Sequence, residues 1–388
     1  MKEQESALFS EYIIDGIRCE STPADMLKEC MEYSPEFQSF EEKPKDIIDE
    51  TIEPPLASFE FDDSLKEVYL SLTSKAAPET RAFRMLYPDH FTRLRAAAAL
   101  IDRIWNVGHF RLGDLSVCAA WEWNTSPVGS MAAFYSSTNA LSSYLYDLGI
   151  RIQGVEFHEN DNQSQFTIEA WLRGDVSDDS NEDDGMTSLT MFKASPYESM
   201  HPWIEDARKC PECADGNPDS WFIYIPFDTC TFKLGGSLLS ELMSQNGNQA
   251  PTIQDPYYFI DCYEVIRELI EDGIVISGST VADGGLLTAL NRICNGCGAD
   301  IDIEKLMSSY QTESQTNVLF GEVPGVVVQI NGNDYDYVDS QLTLQDVAYY
   351  PLGQPTLDHT GIRISSTGNN GVAGILAALL EQASEGED

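Results

Sequence analysis

The polarity pattern of this chain falls into blocks whose periods alternate between two and about 3.6. Residues 24–33 carry a short helical pattern. Residues 67–74 (EVYLSLTS) read as a strand. From Phe91 to Asn106, Leu94, Ala97, Ala98, Ile101 and Trp105 fall on one face of a helix. Leu115–Trp121 is the next strand, a long amphipathic helix covers roughly 127–148, and 149–157 (GIRIQGVEF) is a third strand. After residue 220 the pattern restarts. WFIYIPF (221–227) has the continuous apolar character of a buried strand, and Tyr257–Glu271 is helical. An extended stretch from Ile276 ends in Ala-Asp-Gly-Gly (282–285). A helix follows with Leu286, Leu287, Ala289, Leu290 and Ile293 on its apolar face, and stops at a Cys-Gly turn. Short strands are expected at 299–303, 326–330 and around YYPLGQ (349–354).

Between the blocks lie breaks. Residues 1–58 read as an acidic extension, with FEEKPKDIIDETIEPP as a linker or surface strap. The acidic run 174–185 (GDVSDDSNEDDG) reads as a solvated hairpin tip without the spacing of a calcium loop. Residues 196–220, rich in Pro, Cys and Asp, read as an inter-domain connection. The expected organisation is an extension over 1–58, a first domain over 59–215 and a second over 216–388, in the α+β class.

Charge changes the picture more than composition does. The 388 residues hold 64 acidic against 23 basic side chains, a formal net charge of −41. Such a surface repels phosphate backbones and anionic lipid, so nucleic acid and membrane are not expected partners. Solubility or a salty environment accounts for the charge, and a basic protein partner is the alternative. The sequence contains no apolar run of spanning length, and its N-terminus lacks the layout of a secretory signal. Nine cysteines, an odd number, fit a cytoplasmic or other reducing compartment.

The order of motifs over residues 276–354 resembles the C-terminal domain of the AIR-synthetase superfamily, nearest to the second synthetase half of phosphoribosylformylglycinamidine (FGAM) synthase. The resemblance is carried by Asp283-Gly284-Gly285-Leu286-Leu287, the Cys-Gly turn at Cys297, the Asp-Ile strand, Leu319-Phe320-Gly321-Glu322-Val323-Pro324-Gly325 and Leu352-Gly353-Gln354. FRMLYPDHFTRLRAAAALIDRIWNVGHFRLGDLSVCAAW (83–121) is similar to the family's helix, Asn-bearing turn and Gly-Asp strand. The likeness runs over roughly residues 65–365 and implies two AIR-synthetase-like domains, an N-terminal-like and a C-terminal-like one.

The resemblance also implies sites. The family places an acid and an Asn four apart on one helix, matched by Asp102 and Asn106, and Asp283 matches the Asp of its Asp-Gly-Gly. These three would hold magnesium on a bound ATP or ADP, since a hard cation takes oxygen ligands. Asp283, Gly284 and Gly285, with Gly235 and Gly236 of the LGGS turn, would line the nucleotide. Read from the residues alone, Asp102 is equally a solvated helix residue, Asn106 a helix C-cap and Asp283 a helix N-cap. Cys210, Cys213, Cys294 and Cys297 form two Cys-x-x-Cys units. They read as free thiols, as a structural zinc set or as a disulfide. The five histidines stand in no motif.

Several departures from the family weigh against turnover. Where the family strand ends in Gly-Lys-Asp-Ser, this chain has Gly154-Val155-Glu156-Phe157, an acid in place of the cation. The family's His-Asp is replaced within Ser277-Gly278-Ser279-Thr280, and its Gly-Asp-Arg strand has only Asp15 as a counterpart. A Cys-His-Glu glutaminase has no counterpart after Gly353. The expectation is no catalytic residues and a divergent, silent relative acting as a structural or interaction subunit. The alternatives are a working half of a split FGAM synthase or a MgADP-binding regulator. The family pairs its first domain with another copy, so a protein partner or self-association through that domain is implied. Trp105, Trp121, Trp123, Phe134 and Tyr135 are its apolar candidates, with core packing as the other account.

Overall fold

The structure, a computed structural model, describes residues 6–31, 47–50, 82–107, 111–172, 210–242, 249–312 and 314–365. The chain divides into two units. The first comprises residues 1–55, 77–100 and 111–206; the second comprises 56–76, 101–110 and 207–388. The expected strand at 67–74 and the acidic tip at 174–185 lie outside the described residues.

In the first unit, residues expected to form an extension are folded into it. A single helical turn, α1 (Ser6–Phe9), leads into β1 (Glu11–Ile14), which turns at Asp15-Gly16 into β2 (Ile17–Arg18). Asp15, with φ +54°, serves that turn. Helix α2 (Pro23–Cys30) starts where Thr22 and Asp25 cap each other reciprocally and Pro23 presets the first helical φ. Strand β3 (Ile47–Glu50) pairs parallel to β1. Apolar Leu8, Phe9, Tyr12, Leu27 and Met31 are buried, so the segment anchors itself by its own apolar face.

Helix α3 (Pro88–Val107) and helix α4 (Ser130–Leu148) flank strand β4 (Leu115–Trp123) in sequence. Strands β5 (Arg151–Glu159) and β6 (Gln165–Leu172) follow. The sheet order is β5-β4-β6, with β4 parallel to β5 and antiparallel to β6. Alternation puts Val117, Ala119, Trp121 and Trp123 on one face of β4. Trp121 packs edge-on and Trp123 at a tilt against Phe134 of α4, at ring separations of 5.9 and 5.5 Å. All three rings are fully buried, so they are core and form no docking face. The Trp121 indole donates to Ser137 Oγ, which also meets Thr92 Oγ1 at 2.7 Å, so the buried polar atoms of this core satisfy one another.

The second unit is built on a six-stranded sheet of order β12-β9-β11-β7-β10-β8. Its strands are β7 (Ser220–Pro226), β8 (Val275–Val281), β9 (Gly298–Asp302), β10 (Gly325–Asn331), β11 (Tyr350–Thr356) and β12 (Gly361–Ser365). The helices are α5 (Leu238–Leu242), α6 (Pro256–Glu271), α7 (Gly285–Ile293), α8 (Glu304–Ser309), α9 (Gln315–Phe320) and α10 (Tyr335–Leu344). Apolar β10 is antiparallel to both β7 and β8 and is almost wholly buried, as a continuous apolar run requires. Leu286, Leu287, Leu290 and Ile293 of α7 pack with Val318, Leu319 and Phe320 of α9 and with Val281 and Val327 in one core. Trp105 lies against Gly278, where a Cβ would come within 2.3 Å of the indole. Trp105 is fully buried and is also core. No helix among the described residues is long and apolar enough to cross a membrane.

Candidate functional site

In the second unit, two of the residues singled out for chemistry, Asp102 and Asp283, stand near the C-terminal end of β8. The last turns of α3 meet β8 at Thr280. The Thr280 hydroxyl donates to Asp102 Oδ1 at 2.5 Å and accepts from the Trp105 indole at 2.7 Å. A buried indole thus aims the hydroxyl, and the hydroxyl holds a carboxylate that is otherwise exposed. Asn106 stands in the last turn of α3, which continues through Val107. Asp283, half-buried, lies in the turn directly after β8. It is not the helix cap: Gly284, with φ +83°, takes that position for α7.

The two glycine turns are joined by one carboxylate. Glu322, buried at 6% exposure, accepts from the amide of Leu238 at 2.7 Å and from that of Gly284 at 2.9 Å, both on Oε1. Leu238 opens α5 and Gly284 caps α7, so the acid neutralises unpaired donors at two helix starts. Gly285 has φ +71°, and a Cβ there would sit 2.7 Å from the carbonyl oxygen of Leu319. That explains the second glycine of the pair: helix α7 is pressed onto the chain just ahead of Glu322. Within the LGGS turn, the Gly235 amide donates to the Gln249 carbonyl and Gly236 has φ +71°. The Gly285 amide donates to the Ala282 carbonyl. Three of the four expected nucleotide-lining glycines, Gly235, Gly284 and Gly285, therefore direct their amides at acceptors of the chain itself. Glu322 was visible in sequence as part of Leu-Phe-Gly-Glu-Val-Pro-Gly, but only the fold shows which donors it satisfies.

The donor set Asp102, Asn106 and Asp283, two carboxylates and a side-chain amide, is that of a hard divalent cation. Among the described residues, no three His, Cys, Asp or Glu side chains lie together as a metal site. The zinc reading of Cys210, Cys213, Cys294 and Cys297 needs the 196–220 connection to approach the turn after α7. The connection does reach the turn, because the Ala214 amide donates to the Ile293 carbonyl at 2.7 Å. However, Cys213 is exposed while Cys210, Cys294 and Cys297 are buried, and all four are free thiols. Among the described histidines, His158 faces Glu156 at 3.5 Å and His359 faces Asp300 at 3.3 Å.

Comparison with known proteins meets this geometry at the motifs that build it. Residues 233–356, from the LGGS turn through β11, match the family of AIR synthase related proteins, C-terminal domain. Within the second unit, residues 233–356 thus resemble an AIR synthase C-terminal domain. Beyond that domain, the chain is 26% identical over 277 residues to the probable FGAM synthase of Arabidopsis thaliana, covering 70% of this chain and 18% of that protein. It is 23% identical over 310 residues to the FGAM synthase of Homo sapiens, covering 77% and 21%. The chain thus spans about a fifth of the length of these relatives. Among solved structures, Thermotoga maritima PurL complexed with FGAR aligns with 76% of this chain and 44% of its own at 12% identity and a TM-score of 0.48. Escherichia coli HypE, a hydrogenase maturation protein, aligns with 89% and 94% at 10% identity and a TM-score of 0.46. The matched residues take in strands β8 to β11, the helix after Asp-Gly-Gly and the buried Glu322 segment.

Proposed function

We propose that this FGAM-synthase-like chain is catalytically silent on its own and serves as a structural or interaction subunit. The observation that carries the reading is the state of the two glycine turns. Leu238, Gly284 and Gly285 direct their amides inward, two of them to Glu322, and the Asp102 carboxylate takes the Thr280 hydroxyl. Phosphoryl chemistry works by positioning phosphates and metals, and groups engaged with the protein do not position a substrate. Glu156 in place of the family's lysine adds a repulsive charge. The partner would be a protein, a second copy or an unlike chain, docking through the first unit.

A second reading is a working half of a split FGAM synthase, contributing to ATP-dependent amidation in purine biosynthesis beside separate partners. It is favoured by relatives of which this chain matches only about a fifth. A third is a MgADP-binding regulator. In either, Asp102, Asn106 and Asp283 would hold magnesium, and the metal would neutralise phosphate charge. Thermal stability with and without MgADP separates these readings from the first. A ligand binding only the native state raises the midpoint once its concentration passes its dissociation constant. Under the first reading, about 1 mM MgADP leaves the midpoint unchanged. A rise that Asp283→Ala abolishes would overturn the first reading in favour of a retained metal–nucleotide site.

A further inference from the structure

The Cys294–Cys297 pair has no role in the site above. Helix α7 ends at Ile293, and Cys294, Asn295, Gly296 and Cys297 form the turn into β9. The Cys297 amide donates to the Cys294 carbonyl at 3.2 Å, closing a tight turn. A turn of this kind brings its first and last Cα atoms within about 7 Å, inside the span a disulfide bridges. Both sulfurs face the core of the second unit, whereas Asn295 and Gly296 face solvent. Gly296 has φ +119° and open space around it, so the turn can adjust its backbone without meeting a neighbour.

The remaining described thiols compare poorly. Cys30 donates to the Ser142 carbonyl at 3.0 Å, Cys230 to the Thr252 carbonyl at 2.8 Å and Cys262 to the Pro226 carbonyl at 3.7 Å. Burial pushes all three up from the ordinary thiol range. In the turn, two buried free thiols stand three residues apart around one closing backbone hydrogen bond. The neighbouring Cys294 lowers the pKa of Cys297, against burial and the nearby Asp215 carboxylate, while Cys294 itself is pushed up.

We propose that Cys294 and Cys297 are a reversible modification site, a dithiol that a small hydroperoxide converts to a disulfide, with Cys297 as the attacking sulfur and Cys294 as the resolving one. The Cys297 thiolate attacks one peroxide oxygen and the O–O bond breaks. Cys297 becomes a sulfenic acid and, once protonated, water leaves. The Cys294 sulfur then attacks the sulfenic sulfur, the S–O bond breaks, the S–S bond forms and a second water leaves. The two thiols give up two electrons and two protons, and hydrogen peroxide is reduced to two waters. A small oxidant suits the site, because Cys294 and Cys297 are only 6% and 4% exposed.

The test treats the full chain with hydrogen peroxide, alkylates it, and maps linked and labelled cysteines by mass spectrometry. The expected result is a Cys294–Cys297 linkage that dithiothreitol reverses and that forms equally in Cys213→Ser. In Cys294→Ser, Cys297 should be trapped as sulfenic acid by a cyclic dione. Either of two results would overturn the proposal: both thiols staying alkylatable while the exposed Cys213 oxidises, or Cys213 being the residue joined to one of them. The linkage map of the unsubstituted chain decides the matter even where a serine variant fails to fold.

Discussion

Glu322 satisfies two backbone amides that the fold removes from water. Glu322→Ala leaves the Leu238 and Gly284 donors buried without an acceptor, at about 1–3 kcal/mol each. Urea denaturation should show a loss of about 2–5 kcal/mol, with Glu322→Gln milder because one acceptor oxygen survives. Thr280→Val removes both the acceptor of the Trp105 indole and the donor to Asp102. A loss of about 1–3 kcal/mol is expected, with a shift in the Trp105 contribution to fluorescence. An unchanged spectrum and midpoint would mean that the hydroxyl does not bridge them. Sequence reasoning found Asp102, Asp283 and the glycine pair because each belongs to a local motif. It could not find the role of Glu322, whose partners lie 84 and 38 residues away, or the bond between Thr280 and Asp102 across 178 residues. Local spacing identifies residue types that suit a chemistry, and tertiary approach decides what they touch.

The elements themselves were largely legible. Periodicity placed α3, α4, α6 and α7 to within a few residues, because each has one apolar stripe and a recognisable start or stop. The folding of residues 6–31 into the first unit was not legible, since β1 to β3 are short and strongly charged. One of those charges has a structural task. Glu50, at the end of β3, accepts from the amides of Met131 and Ala132 at 2.8 and 3.1 Å, supplying the cap that Gly129 cannot give α4. Glu50→Ala should cost about 0.5–2 kcal/mol, read as a lower urea midpoint at unchanged slope. Strand β4 and the loop after β7 carry a pH dependence. Burial first, then nearby carboxylates, push the Cys118 thiol up to about 11, and burial and Asp228 push Cys230 up to about 12. An unfolded thiol loses its proton near its ordinary pKa of about 8.5, while the folded ones keep theirs. The folded state therefore binds more protons through this window, and stability falls as pH rises from about 9 towards 11–12. Thermal midpoints between pH 8 and 11 should show the decline, with a smaller fall in Cys118→Ala.

On the scale of the whole molecule, the formal charge of −41 sets how the fold responds to salt. Self-repulsion opposes compaction, and screening relieves it as the Debye length drops from about 30 Å at 0.01 M salt to about 3 Å at 1 M. The thermal midpoint should climb across that range. A flat response would mean that the charges are already neutralised in pairs. The sequence pattern restarts after residue 220, whereas in the fold the last turns of α3 and the described residues from Cys210 onward belong to the second unit, with Trp105 seated on Gly278 there.

The double bond to Glu322 also bears on motion. One oxygen atom serves the starts of two helices, so a motion that displaces Glu322 frees both amides at once. The amide protons of Leu238 and Gly284, distant in sequence, should then exchange with deuterium at matched rates and with one shared protection energy. In that atom the two glycine turns share a latch, and the motion that lifts it loosens both.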